Sequence, residues 1–217
     1  MQWLATAATL TFAVPVQGGQ NDPRLDPLFA ELRAAPTKED AAPIEEQIWK
    51  VWLLSGNGAV DAHMLQGLQA MGGGENGAAL AAFDRVVAAQ PDFAEGWNKR
   101  ATVNYLLGRF DAAVIDIQKT LALEPRHFGA LSGLALINLA LSREREALQA
   151  FEAALRIHPN LPGAETHIRE LREKIQGNSV TTRRADPIAT IFRAFSRGPR
   201  RFAGCSWLRG CRTVRRR

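Results

Sequence analysis

Histidine and cysteine are the residue types best able to bind a metal or to act in catalysis, and their spacing here supports neither role. The four histidines are His63, His127, His158 and His167. No two of them form HExxH or another helical ligand pair. Cys205 and Cys211 are the two cysteines of the chain, so a disulfide or a thiolate metal site is excluded from the residues before them.

Other catalytic signals are equally absent from the sequence. Gly72, Gly73 and Gly74 form a glycine run that lacks the following Gly-Lys-Ser/Thr of a phosphate-binding loop. No arrangement of a nucleophile with a base and an orienting acid is recognisable. The sequence therefore predicts a protein that is not an enzyme and that holds no metal or cofactor.

Three stretches of the chain repeat one pattern, in which two short amphipathic helices are joined by a tight turn and closed by a proline. The closing prolines are Pro91, Pro125 and Pro159, and successive prolines are 34 residues apart. A fixed period of this length is typical of a helical repeat array. The first helix of every copy also has a small residue in the same slot, namely Gly67, Ala101 or Ala135, and small residues let two helices approach closely.

The middle copy resembles the tetratricopeptide repeat (TPR) consensus in both residue type and spacing. The matching residues are Trp97, Ala101, Gly108, Phe110, Ala113 and Pro125. The resemblance implies an all-α fold, a right-handed superhelical array of antiparallel helix hairpins that ends in a capping helix. We expect repeats at 60–93, 94–127 and 128–161, and a capping helix at 162–176 whose apolar stripe faces the last repeat.

Residues 24–59 are predicted to form a divergent helical hairpin ahead of the first repeat. Apolar residues recur there at helical spacing, and Thr37 is a good helix N-cap. Trp49 and Trp52 could line a ligand cage. We favour packing of the hairpin onto its neighbour instead, since apolar stripes at this spacing usually face a core.

The two ends of the chain differ from the repeats. Residues 1–18 are uncharged and mostly apolar, which favours a signal peptide and a periplasmic location. There is no basic residue before Arg24, so a buried first element and a cytoplasmic location remain the alternative. Residues 177–217 hold 11 arginines and one acid, Asp186. We expect this tail to be disordered, or never selected to fold, rather than an arm for nucleic acid or an anionic membrane.

The resemblance also places a binding surface on the first helix of each repeat. The slots that line the concave groove in this family hold Met64, Leu68, Glu95, Asn98, Lys99, Thr102, Tyr105, Ser132 and Leu136. The alternative is that Met64, Leu68 and Leu136 belong to the core between repeats. The cationic clamp with which some family members grip the carboxyl terminus of a chaperone is missing.

These features imply a scaffold that binds a peptide or a partner protein in the groove. In that role Asn98 and Lys99 would hold a peptide backbone or a carboxylate. The alternative function is binding of nucleic acid or an anionic membrane through the basic tail, with the repeats acting as a spacer.

Overall fold

The computed structural model describes the backbone of residues 18–184 and the side chains up to residue 177. This part of the chain contains a short 3-10 helix, Gly19–Asn21, and nine α-helices, with no strand. The helices are α1 Leu25–Ala34, α2 Lys38–Trp52, α3 Gly58–Gly72, α4 Asn76–Ala89, α5 Ala94–Leu106, α6 Phe110–Leu123, α7 Phe128–Ala140, α8 Glu144–Ile157 and α9 Ala164–Arg184. The predicted all-α fold is confirmed.

The chain divides into two compact units, residues 1–175 and 176–217. The helices and contacts discussed below belong to the first unit. Helix α9 begins in the first unit, and the structure describes it as far as Arg184. The sequence predicts instead that this helix ends at residue 176. Most of the predicted basic tail and nearly all of the predicted signal peptide lie outside the described residues. Within residues 18–184, no helix combines the length and the apolar character needed to span a lipid bilayer.

The turn inside each repeat hairpin uses a left-handed backbone conformation at one equivalent position. Gly74 connects α3 to α4 with φ 77°, and Gly108 connects α5 to α6 with φ 71°. The third repeat has Ser142 at this position with φ 56°. Glycine adopts this conformation readily and other residues do so at a cost, so the 34-residue period is also visible in the backbone.

Small residues at equivalent positions of the repeats permit close pairing of the two helices of a repeat, as the sequence predicts. A Cβ atom placed on Gly67 of α3 would lie 2.5 Å from Cε1 of Phe83 on α4. Ala101 and Ala135 hold the equivalent slots in α5 and α7, and both are buried. In the first repeat, the absence of a side chain at Gly67 therefore lets Phe83 pack directly against the backbone of α3.

The N-terminal hairpin, α1 and α2, packs against the far end of the array rather than stacking as an additional repeat. Phe29 and Trp52 of the hairpin share one buried cluster with Phe128 of α7, Phe151 of α8 and Leu171 of α9. Trp52 therefore packs the hairpin onto the array, as expected in preference to a ligand cage, but its neighbours belong to the last helices of the chain. The hairpin covers residues that lie between 76 positions (Trp52 to Phe128) and 142 positions (Phe29 to Leu171) later in the chain.

Polar contacts fix the N-terminal segment along the turns that join one repeat to the next. The Gln20 side chain accepts from the Ala94 N–H at 3.2 Å, beside the first turn. Arg126 in the second turn pairs with Asp26 at 2.6 Å. Asn160 in the third turn donates to the Ala35 carbonyl at 2.7 Å. The segment therefore runs across the edge of the array where these turns lie.

Candidate functional site

The predicted groove residues of the first repeat are wholly or partly withdrawn from the surface. Met64 is only 2% exposed and packs in a cluster with Val60, Phe83 and Phe93. Leu68 is half-buried against the same cluster. The prediction that Met64 lines an open groove is wrong, because its side chain fills the space between α3 and its neighbours.

Glu95 lies in a buried polar network at the start of α5. Its carboxylate is 3.0 Å from Lys99 Nζ and 2.9 Å from His127 Nε2, and it accepts from the Asn98 amide at 2.8 Å. Burial alone would raise the pKa of Glu95, but the Lys99 charge and the His127 hydrogen bond outweigh burial and hold this pKa below its ordinary value. Because Glu95 is 1% exposed, its prediction as a partner contact is also wrong.

His127 orders this network through both of its ring nitrogens. Nδ1 accepts from the Ala130 N–H at 3.1 Å, which caps the start of α7. Since Nδ1 is an acceptor, the hydrogen of a neutral ring resides on Nε2 and is donated to Glu95. Trp52 stacks on the imidazole with the ring centres 4.0 Å apart. The hairpin thus seals the network from water.

Trp49 covers the neighbouring part of the groove. The Lys99 ammonium lies 5.1 Å from the centre of the Trp49 ring. On α7, a Cβ atom placed on Gly129 would be 2.5 Å from Cη2 of Trp49, so glycine is what lets the indole approach. Lys99 therefore pairs with Glu95 and packs on the Trp49 ring, so its ammonium group is not available to hold a peptide carboxylate as the sequence predicts.

A second histidine–glutamate pair fixes α2 to the end of α8. His158 is buried, and its Nε2 lies 3.1 Å from a carboxylate oxygen of Glu45. The indole N–H of Trp49 donates to the other oxygen of Glu45 at 3.1 Å. The hydrogen bond from His158 holds the pKa of Glu45 below its ordinary value, against the opposing effect of burial.

Sequence reasoning missed both histidine–glutamate pairs. Their partners are 32 and 113 residues apart, and neither pair follows the repeat period. The sequence does contain one sign of the network around Glu95. Glu95 and Lys99 have the i, i+4 spacing that predicts an ion pair on a helix.

The part of the groove that remains open is a cleft of about 280 Å³ between α5 and α7. Five of the predicted groove residues line it: Asn98, Thr102, Tyr105, Ser132 and Leu136. The remaining lining consists of Ala101, Leu106, Ile117, Gly129, Gly133 and Ile137. We call this space the α5–α7 cleft.

The α5–α7 cleft is apolar, and its walls are open to solvent. Leu106 is 51% exposed and Leu136 is 37% exposed, which is unusual for large apolar side chains that line the same concavity. Asn98 is buried and its amide is already bonded to Glu95. In the part of the chain that the structure describes, no three His, Cys, Asp or Glu side chains are placed to hold a metal ion together. The chemistry available in the cleft is therefore the burial of apolar groups.

Comparison with known proteins identifies similar sequences. The sequence profile of the family described as "Tetratricopeptide repeat" matches residues 64–120 and 107–162. A TPR repeat-containing protein of Rhizobium etli is 36% identical over 176 residues, covering 80% of this chain and 86% of that protein.

Solved structures with a similar fold are more distant in sequence. The Sgt2 TPR domain of Aspergillus fumigatus has a TM-score of 0.54 and 15% identity, covering 70% of this chain and 92% of that one. The first TPR domain of Spaghetti (RPAP3), solved with an HSP90 peptide, has a TM-score of 0.52 and 21% identity, covering 54% of this chain and 93% of that one. At these identities the likeness concerns the fold alone.

Proposed function

Since the chain belongs to the tetratricopeptide repeat family, we propose that it is a non-catalytic scaffold that binds a protein or peptide partner in the α5–α7 cleft. The observation that carries the proposal is the pair of exposed leucines, Leu106 on α5 and Leu136 on α7, which line the same mainly apolar concavity. A TPR domain of similar fold binds a peptide, the RPAP3 domain with its HSP90 peptide, which supports a peptide as the class of ligand.

The proposal assigns binding to fewer residues than the sequence predicts. Thr102, Tyr105, Ser132 and Leu136 line the cleft and are at least partly exposed. Alanine at Asn98 and Lys99, the test that the sequence suggests, would remove two partners of the buried Glu95. Such a variant would lose stability as well as surface, so a substitution in the exposed cleft wall is a cleaner test.

Leu136→Arg tests the cleft against a matched change elsewhere. An arginine at residue 136 places a charge in an apolar site. When partners are cross-linked in the native cells and captured on the protein, the yield with this variant should be at least tenfold lower than with the wild type. The control is Ile115→Arg on α6. Ile115 is 56% exposed and does not line the cleft, so capture by this variant should be unchanged. Equal capture by Leu136→Arg and the wild type, with both folded by circular dichroism, would contradict the proposal.

We propose in addition that the scaffold works in the periplasm. The support is the uncharged, mostly apolar stretch at residues 1–18. An intact mass that lacks about 18 N-terminal residues, measured on protein from the native cells, is the expected result. A mass that retains these residues would overturn the periplasmic location and leave the cleft proposal intact.

A further inference from the structure

We infer that the ligand of the α5–α7 cleft is an uncharged apolar peptide segment that anchors through one or two bulky side chains. It is not an acidic segment or a free carboxyl terminus. The inference rests on the proposed function, since it names the chemical class of ligand for the same site. Three features of the cleft carry it.

The first feature is charge. None of the residues that line the cleft in the described chain is charged. The nearby cation, Lys99, lies 3.0 Å from the Glu95 carboxylate and against the Trp49 ring. A carboxylate that enters the cleft would lose its water without gaining a free positive partner, and that loss is costly. An acidic ligand is therefore disfavoured, and an uncharged one is not.

The second feature is the size of the cleft, which lies beside the N-terminal hairpin. Trp49 of α2 covers α7 at Gly129, which also lines the cleft. The indole therefore lies directly beside the cleft at Gly129, although Trp49 is not itself among the lining residues. A volume of about 280 Å³ is just below the range of about 300–1,000 Å³ that holds a whole small-molecule ligand. A cleft of this volume can hold one or two side chains of a ligand, but not the surface of a folded protein.

The third feature is the glycine on the cleft floor. A Cβ atom placed on Gly133 would meet only Cδ1 of Ile117 within 4 Å, at an ordinary contact distance of 3.6 Å. A side chain on residue 133 would therefore project into the open cleft without disturbing the helix. With Leu106, Leu136 and Ile137 in the lining beside Thr102, Tyr105 and Ser132, the space above Gly133 is mainly apolar. It favours a leucine, isoleucine, methionine or phenylalanine side chain.

The test is selection of a random peptide library on the wild-type protein, followed by re-screening on Gly133→Leu. The leucine fills the cleft and raises helix propensity, so the variant is expected to fold. The control is Gly77→Leu on α4, since Gly77 is helical, exposed and has no neighbour within 4 Å of an added Cβ. Selected sequences should be uncharged and rich in large apolar residues. They should bind Gly77→Leu normally and lose at least tenfold in affinity on Gly133→Leu.

The affinity is then measured with two synthetic probes whose termini are acetylated and amidated. One is a selected apolar peptide, and the other is the same peptide with its two largest apolar residues replaced by aspartate. The apolar peptide should bind at least tenfold more tightly. If the selected sequences are acidic or require a free carboxylate, yet lose binding on Gly133→Leu, the ligand class is wrong and the cleft proposal stands. If no sequence is selected, or all bind Gly133→Leu normally, both proposals fail.

Discussion

At the scale of single residues, the most informative groups are two glutamates that each accept a hydrogen bond from a histidine. Glu95 meets His127 inside the repeats, and Glu45 meets His158 where the hairpin joins the array. Both glutamates have a pKa below the ordinary value. A carboxyl group whose pKa is lowered by folding stabilises the folded state above its unfolded pKa, and this stabilisation is lost as the pH falls.

Glu45→Gln should therefore change how stability depends on pH. At pH 7 the variant should have a smaller free energy of unfolding than the wild type. The difference should shrink below the ordinary glutamate pKa of 4.5, as the wild-type carboxylate takes up a proton. Glutamine has one acceptor oxygen in place of the two that His158 and Trp49 use, so it loses one hydrogen bond together with the charge, and only the effect of the charge depends on pH in this range. Urea unfolding between pH 3 and pH 7 measures this difference.

The control for this prediction is the adjacent Glu46→Gln. Glu46 pairs with Lys50 on the exposed face of α2, where its side chain is 67% exposed, and an exposed pair of this kind contributes little. A Glu45→Gln curve that runs parallel to the wild type from pH 7 to pH 3 would show that the pairing with His158 contributes nothing to folding.

At the scale of elements, the N-terminal hairpin is held mainly by Trp52. Its indole is fully buried, stacks on His127 and contacts Phe29 and Phe128. We expect Trp52→Ala to reduce the free energy of unfolding by about 3–5 kcal/mol, the usual cost of emptying an aromatic site in a core. Denaturant unfolding followed by circular dichroism gives this value.

Trp97→Ala provides the same chemical change at a more exposed site. The Trp97 indole donates to the Pro91 carbonyl and packs beneath Arg100, and no other ring lies near it among the ring contacts of the described residues. The loss there should be clearly smaller. Equal losses from the two variants would mean that the hairpin does not depend on Trp52.

The pairing of helices inside a repeat is tested at Gly67. Gly67→Leu should destabilise the protein by about 1–3 kcal/mol, because the new side chain has to displace Phe83 in a filled core. Gly77→Leu should be neutral or slightly stabilising, since it gains helix propensity and meets nothing. Thermal unfolding of the two variants should shift in opposite directions or differ by several degrees. A Gly67→Leu protein as stable as Gly77→Leu would refute the close contact of α3 with α4.

At the scale of the whole molecule, the repeats were predictable from the sequence and the placement of the hairpin was not. The 34-residue period and the small residues at Gly67, Ala101 and Ala135 specify local contacts, and local contacts recur in every copy. The hairpin depends on contacts such as Asn160 with Ala35, which are 125 residues apart and occur once. No periodic pattern encodes such a contact.

The same limit explains what was mistaken at the candidate site. Met64 and Glu95 occupy slots that face the groove in the family, but in this chain a buried cluster encloses Met64, and a network sealed by Trp52 encloses Glu95. Ser132 and Leu136 line the cleft and are at least partly exposed, and their role in partner binding stays a prediction. Family slots therefore located the groove, and long-range packing decided which part of it stays open.

Hydrogen exchange with and without a bound partner tests the central proposal most directly, because it reports the site of contact without any substitution. The partner would be a protein captured from the native cells or a peptide selected on the wild type. We expect slower exchange of backbone amides within 98–106 and 129–137 when the partner is bound, and no change within 76–89, which contributes no residue to the cleft. Protection confined to 76–89 or to the hairpin, with α5 and α7 unchanged, would contradict binding in the α5–α7 cleft.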